Sequence, residues 1–263
     1  MKNPLLICGL TAALLLPTLG HSQTEVVYRE IFARPTGSSG PASMSGYNWY
    51  AHRTADATQV TNHLGSTNLQ WAVSAATGSP SNLDGVNSNQ TTTDTALGFG
   101  FFFSNQTAAP TLLWTDEYSV SLADITRFDW QQGNSAATET LQLAIRVGSD
   151  WYVSDQSNTN AAVSTFSTQA EQKTQLMAGS EWSSLTFTPG SALSIGSTAT
   201  LPLSGTVTAF GLFSASHTAF TTLRFDTFTI TATPIPEPSS IGLLLGGVVM
   251  LTGVSRRRRT VQA

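Results

Sequence analysis

Few side chains in this 263-residue chain have the types and spacing that chemistry needs. Asp116 and Glu117 form the only adjacent acidic pair. Glycoside cleavage asks for two carboxylates facing one bond. Neighbours on a strand point to opposite faces, so this pair cannot supply them without Asp94 or Asp129 approaching in three dimensions. A solvated turn is the simpler expectation. Once His21 leaves with the N-terminal leader described below, His52, His63 and His217 remain. His52 and His63 lie eleven residues apart in a polar, Thr/Asn-rich stretch, so surface histidines are expected rather than a triad or a zinc site. Serine is abundant, but no Gly-x-Ser-x-Gly elbow occurs between a strand and a helix. No catalytic residue and no cofactor is expected.

Two stretches could bind rather than react. Asp84, Asn87, Asn89 and Asp94 sit in a loop rich in oxygen ligands of the kind calcium takes. The spacing does not match an EF-hand, and Asx turn chemistry accounts for it equally well. Of the tryptophans, Trp130 and Trp151 stand at strand positions and belong in a core, where a large ring contributes most by burial. Tyr47, Trp49 and Tyr50 follow a Gly/Pro/Ser loop beside Asn48 and His52, and form a candidate exposed platform for a sugar ring.

The elements that must carry these residues read as β. Leu141, Leu143, Ile145 and Val147 alternate with Gln142, Ala144 and Arg146, the period of a half-buried strand. Gly148-Ser149-Asp150 then turns into Trp151-Tyr152-Val153, which predicts a hairpin. Val207, Ala209 and Gly211 alternate with Thr208, Phe210 and Leu212. Leu223 and Phe225 share one face, and Phe228 and Ile230 resume it with changed parity, which predicts a bulge near Asp226-Thr227. Further strands are expected at 26–32, 69–73, 97–103, 118–122, 126–130 and 183–187; residues 168–177 fit a short helix or a strand. Nine to twelve strands with polar turns and no fixed repeat predict an all-β sandwich or jelly roll, with the first and last runs side by side.

Both ends of the chain carry addresses. Lys2, an apolar run at 5–16, Pro17, and Gly20 and Ser22 two apart have the layout of a secretory signal peptide over 1–22, cleaved before Gln23. Cys8, the single cysteine, lies inside it, so the mature chain has neither disulfide nor thiolate site. Residues 23–233 hold 15 acidic and 7 basic side chains, a net charge of about −8 that disfavours nucleic acid and anionic membrane surfaces. Pro234, Pro236 and Pro238 then hold an extended strip. Residues 239–255 carry no charge and make a helix of about 25 Å, close to the ~30 Å hydrocarbon core. Arg256, Arg257, Arg258 and Arg259 follow as a cytoplasmic stop, leaving residues 23–233 outside the cytoplasm.

The order Pro236-Glu237-Pro238-Ser239-Ser240, Leu/Gly/Val-rich span, arginine cluster resembles the PEP-CTERM sorting signal of Gram-negative bacteria, here over 234–263. The resemblance implies recognition by an exosortase, a membrane-embedded transpeptidase-like enzyme that cuts near Pro-Glu-Pro, with transient inner-membrane anchoring, final placement at the cell surface or outside, and association with exopolysaccharide. Arg127-Phe128-Asp129-Trp130, the run 149–154 and Arg224-Phe225-Asp226-Thr227-Phe228 resemble, more loosely, concanavalin A-like jelly rolls found on such proteins. The expectation is therefore a non-enzymatic surface or matrix protein. Two alternatives stand beside it: a lectin-like or glycan-cleaving sandwich, and an ectodomain that stays anchored without processing.

Overall fold

A computed structural model describes residues 24–32, 42–61, 69–75, 98–162, 170–202 and 204–233. The leader, the tail from residue 234, His63 and the loop bearing Asp84, Asn87, Asn89 and Asp94 lie outside these residues. Among the described residues no helix is long and apolar enough to cross a membrane.

The described residues form sixteen strands and one short 3-10 turn. In chain order these are β1 (Glu25–Glu30), β2 (Ala42–Ser43), the turn Met44–Tyr47, β3 (Trp49–Arg53), β4 (Thr58–Gln59), β5 (Leu69–Ala75), β6 (Gly98–Ser104), β7 (Ala109–Thr115) and β8 (Val120–Ser121). The second half adds β9 (Ile125–Gln132), β10 (Gln142–Val147), β11 (Asp150–Ser154), β12 (Glu171–Leu176), β13 (Trp182–Thr188), β14 (Ala192–Ala199), β15 (Thr206–His217) and β16 (Thr221–Ala232). All pairings are antiparallel. One sheet runs β12-β9-β16-β6-β5-β2, with β1 also on β16; the other runs β14-β13-β11-β10-β15-β7-β3-β4, with β8 on β15.

The two sheets pack face to face through an aromatic core. Phe210 of the nine-stranded sheet stacks on Phe228 of the seven-stranded one at 5.5 Å, and Trp49 meets Phe225 and Phe228 at 5.2 and 5.5 Å. Trp130, as expected, belongs to this core, stacked on Phe228. The predicted hairpin is present, with Val147 opposite Asp150. The predicted bulge is a register shift between Asp226 and Thr229, with Thr227 at φ 48°. The first and last strands pair, Glu25 opposite Ala232. Residues 170–177 carry β12 rather than a helix, because this polar segment takes the edge position beside β9.

The expectation that β10 is half-buried needs correction. Its second face is covered too, because the nine-stranded sheet curls until its ends meet. The β13–β14 turn donates from Gly190 N to Ala57 O and from Leu193 N to Ala55 O, at 3.1 and 2.8 Å. The curl closes over a second apolar cluster holding Leu112, Trp114, Ala144, Trp151, Val153 and Phe213. Gly211 makes room for it: a Cβ there would lie 1.9 Å from the Leu113 carbonyl oxygen.

Candidate functional site

Strand alternation divides the proposed aromatic platform. Trp49 and Ala51 point into the sandwich, and Trp49 is only 1 % exposed, ringed by Phe32, Phe225 and Phe228. Tyr50, one residue on, points to the opposite face and packs on Trp114 at 5.0 Å. Tyr47, in the 3-10 turn, packs half-buried against Phe32. Trp49 is thus a core residue, and the three rings do not share a surface; the period of two decides it.

The carboxylates are also separated. Asp116 and Glu117 follow β7 in an exposed turn, where Asn48 Nδ2 donates to Glu117 Oε1 at 3.4 Å. Asp129 is on the other sheet with both oxygens engaged, Oδ2 by Arg127 Nε at 2.9 Å and Oδ1 by the Thr174 hydroxyl at 2.6 Å. Among the described residues, no three His, Cys, Asp or Glu side chains gather where they could hold a metal ion.

His52, expected at the surface, is buried, and so is His217. His52, 3 % exposed, accepts at Nδ1 from Trp114 Nε1 at 3.1 Å, which leaves its own proton on Nε2. Burial pushes its pKa down to about 4, so the ring is neutral at neutral pH. His217, at the end of β15, holds Nδ1 3.0 Å from Glu139 Oε2, with both side chains fully buried. Glu139 Oε1 also accepts from Thr218 N at 2.9 Å, from Thr221 Oγ1 at 2.8 Å and from Thr218 Oγ1. Burial works to raise the Glu139 pKa, but hydrogen bonds from His217 and Thr218 and the His217 charge outweigh it and hold the carboxylate at about 2. This pair clasps the β15–β16 turn and faces no opening. Seventy-eight residues separate its members, so local sequence pattern could not have found it.

Two clefts among the described residues lie on the outer face of the seven-stranded sheet. One cleft, of about 280 Å³, is polar: Arg127, Asp129 and Gln131 of β9 face Thr227, Thr229 and Thr231 of β16, with Arg29 at its edge. The second, of about 340 Å³, is aromatic: Phe99, Phe101 and Phe103 of β6 line it with Gln70, Thr222 and Arg224. Its origin is legible in the run Gly98-Phe99-Gly100-Phe101. Gly100 turns inward, where the Phe225 ring would sit 3.1 Å from any Cβ, so the large rings occupy the outward positions. That reverses the usual assignment of apolar residues to the inner face, and it is the signal that reading β6 only as a strand missed.

No family model matches the chain, and no curated protein is significantly similar to it. Among solved structures, the chain is similar to the Clostridium thermocellum N-terminal endo-1,4-β-D-xylanase 10B, crystallised as CBM22-1–GH10 modules complexed with xylohexaose. The match covers 80 % of this chain at 11 % identity with a TM-score of 0.29. It spans only 29 % of that structure's chain. A likeness at this level carries no argument about function.

Proposed function

We infer that this is an exported, non-enzymatic surface or matrix protein, held at the inner membrane by its tail and released or re-attached by an exosortase cutting near Pro236-Glu237-Pro238. The carrying observation is the tail itself: an extended Pro-Glu-Pro strip, an uncharged span over 239–255 and Arg256 to Arg259, behind a chain that opens with an export leader. The fold is compatible with that use. Because Glu25 pairs with Ala232, both segments assigned to the membrane depart from one end of the sandwich. The opposite end is then free to face outward, towards exopolysaccharide. We read the sandwich more finely as a jelly roll, supported by strands that cross repeatedly between sheets, as β6 to β7, β9 to β10 and β15 to β16 do. The non-enzymatic reading is supported by Asp129, Glu139 and His217, whose polar contacts serve strand and turn geometry.

A glycan-binding role is the second reading, favoured by the aromatic cleft on β6. The test of the first is intact mass and fractionation from the native cell, beside a variant with Pro236, Glu237 and Pro238 replaced by alanine. A wild-type product ending near Pro238 outside the inner membrane, with the variant retained, is the expected result. Wild-type protein still carrying Arg256 to Arg259 in the inner membrane would replace sorting by plain anchorage.

A further inference from the structure

The polar cleft sits where β16 bulges against β9. From Asp129 to Gln131 β9 advances two residues, while the facing stretch of β16, from Thr229 back to Asp226, takes three. An extra residue bends its strand and re-aims a side chain, and here Thr227 lines the cleft at φ 48°. A β-branched residue is strained in that region, where glycine sits freely. Strain of this kind persists where the side chain has a use. The walls follow from the pairing register. Asp129 stands opposite Thr229, and Thr229 opposite Arg29; two residues along, Arg127 stands opposite Thr231. These side chains line the cleft together with Gln131 and Gln172.

Two groups in the cleft have bonding capacity left among the described residues. Thr231 is 4 % exposed and its hydroxyl has no hydrogen-bond partner. A buried polar atom in that state lowers stability unless something binds it. Arg127 gives only Nε to Asp129, at 2.9 Å, so its two terminal nitrogens keep their N–H groups for a ligand. The Asp129 carboxylate is itself held on both sides, by Arg127 and by the Thr174 hydroxyl of β12, and it fixes the guanidinium at the cleft wall.

We propose that this cleft binds a sugar acid, a compact ligand with one carboxylate and several hydroxyls. The carboxylate fits Arg127, whose planar fork pairs with carboxylates, and the Thr231 hydroxyl gains its missing acceptor. Two arginines, Arg29 and Arg127, face one acid, Asp129, so the lining is positive within residues 23–233 that carry a net charge of about −8. The ligand hydroxyls meet Thr227, Thr229, Gln131 and Gln172, which both donate and accept. The volume of about 280 Å³ lies at the small end of ligand sites and suits one ring. The single aromatic residue of the lining, Trp130, has its ring stacked on Phe228 in the core, so a neutral sugar gains no stacking face there. The site uses neither the leader nor the tail, and it stands apart from the sorting reading.

The test is titration calorimetry of the full chain, purified in detergent, with glucuronate and galacturonate beside glucose, acetate and inorganic phosphate. Binding of at least one uronate is expected, weakening as salt is raised, with acetate and phosphate weaker and glucose silent. Thr231→Val keeps the shape and removes an unpaired buried hydroxyl. Its melting temperature should equal or exceed that of wild type, while uronate affinity falls about tenfold, as for one hydrogen bond to a charged group. Thr227→Gly relieves the strained backbone, so it too should fold at least as well as wild type, yet bind about fivefold more weakly. Arg127→Gln, which keeps a donor for Asp129, should abolish binding. No heat with either uronate overturns the proposal, as does wild-type affinity in Thr231→Val. Glucose, acetate or phosphate binding as tightly as the uronates would overturn it equally, because the ligand would then need either no charge or no ring.

Discussion

Four hydrogen bonds reach the Glu139 carboxylate from His217, Thr218 and Thr221. Truncation at Glu139 would leave those groups buried without an acceptor, so Glu139→Ala should cost about 3–5 kcal/mol, read from urea unfolding. Its acid dependence has a definite sign. The folded pKa of about 2 lies below the ordinary 4.5, so the unfolded chain takes up the proton first as pH falls. The stabilisation is complete above about pH 4.5 and is lost as pH falls towards 2; Glu139→Gln should flatten that limb. His52 acts in a higher window. Its pKa is depressed from 6.5 to about 4, so stability should be full above about pH 6.5 and decline between there and pH 4. Thermal melts of His52→Gln, which keeps an acceptor for Trp114, should lose that slope; an unchanged slope would place the titration elsewhere.

At the level of strands, backbone fit decides more than side-chain type. Gly211 on β15 lies where a Cβ would strike the Leu113 carbonyl and the Trp114 backbone, atoms fixed by the β7 ladder. Gly211→Ala should therefore destabilise by about 3 kcal/mol or more, an overpacking cost with nothing flexible to yield. The bulge at Thr227 predicts the opposite: φ 48° strains a β-branched residue, and Thr227→Gly should gain about 1 kcal/mol in denaturant midpoint terms. That bulge was legible because Phe225 and Phe228 change parity across it, and the β10–β11 hairpin because Gly148 marks its turn. β3 and β7 were not. Trp49-Tyr50-Ala51-His52-Arg53 and Thr111-Leu112-Leu113-Trp114 are buried on both sides by the curled sheet, so no polar alternation survives to mark them. The same curl buries His52 and hides the division of Trp49 from Tyr50. A site whose parts meet only through sheet closure leaves no periodic trace in the chain.

For the whole molecule, the joining of β1 to the end of β16 constrains where processing can occur. β1 supplies the hydrogen-bonding partner for Phe228 to Ala232 on one side of β16, and Thr233 N donates to Asp124 O at 2.8 Å. A cut inside either segment would expose the edge of the central strand of the seven-stranded sheet, an invitation to pair with another chain. The expected cut before Gln23 falls short of Glu25, and one near Pro236 to Pro238 falls beyond Thr233, so both leave the ladder whole. Mature protein from the native cell should accordingly begin at or before Glu25 and end at or after Thr233, by intact mass. Its melting temperature should match that of the full chain in detergent within about 2 °C, because both cuts leave the pairing of β1 with β16 intact. A shortened chain beginning after Glu30 should instead self-associate, with sedimentation that depends on concentration. A native mature form that lacks β1 yet stays monomeric would show that the edge of β16 is protected by some other means, and that processing is not constrained by the pairing of the two ends of the chain.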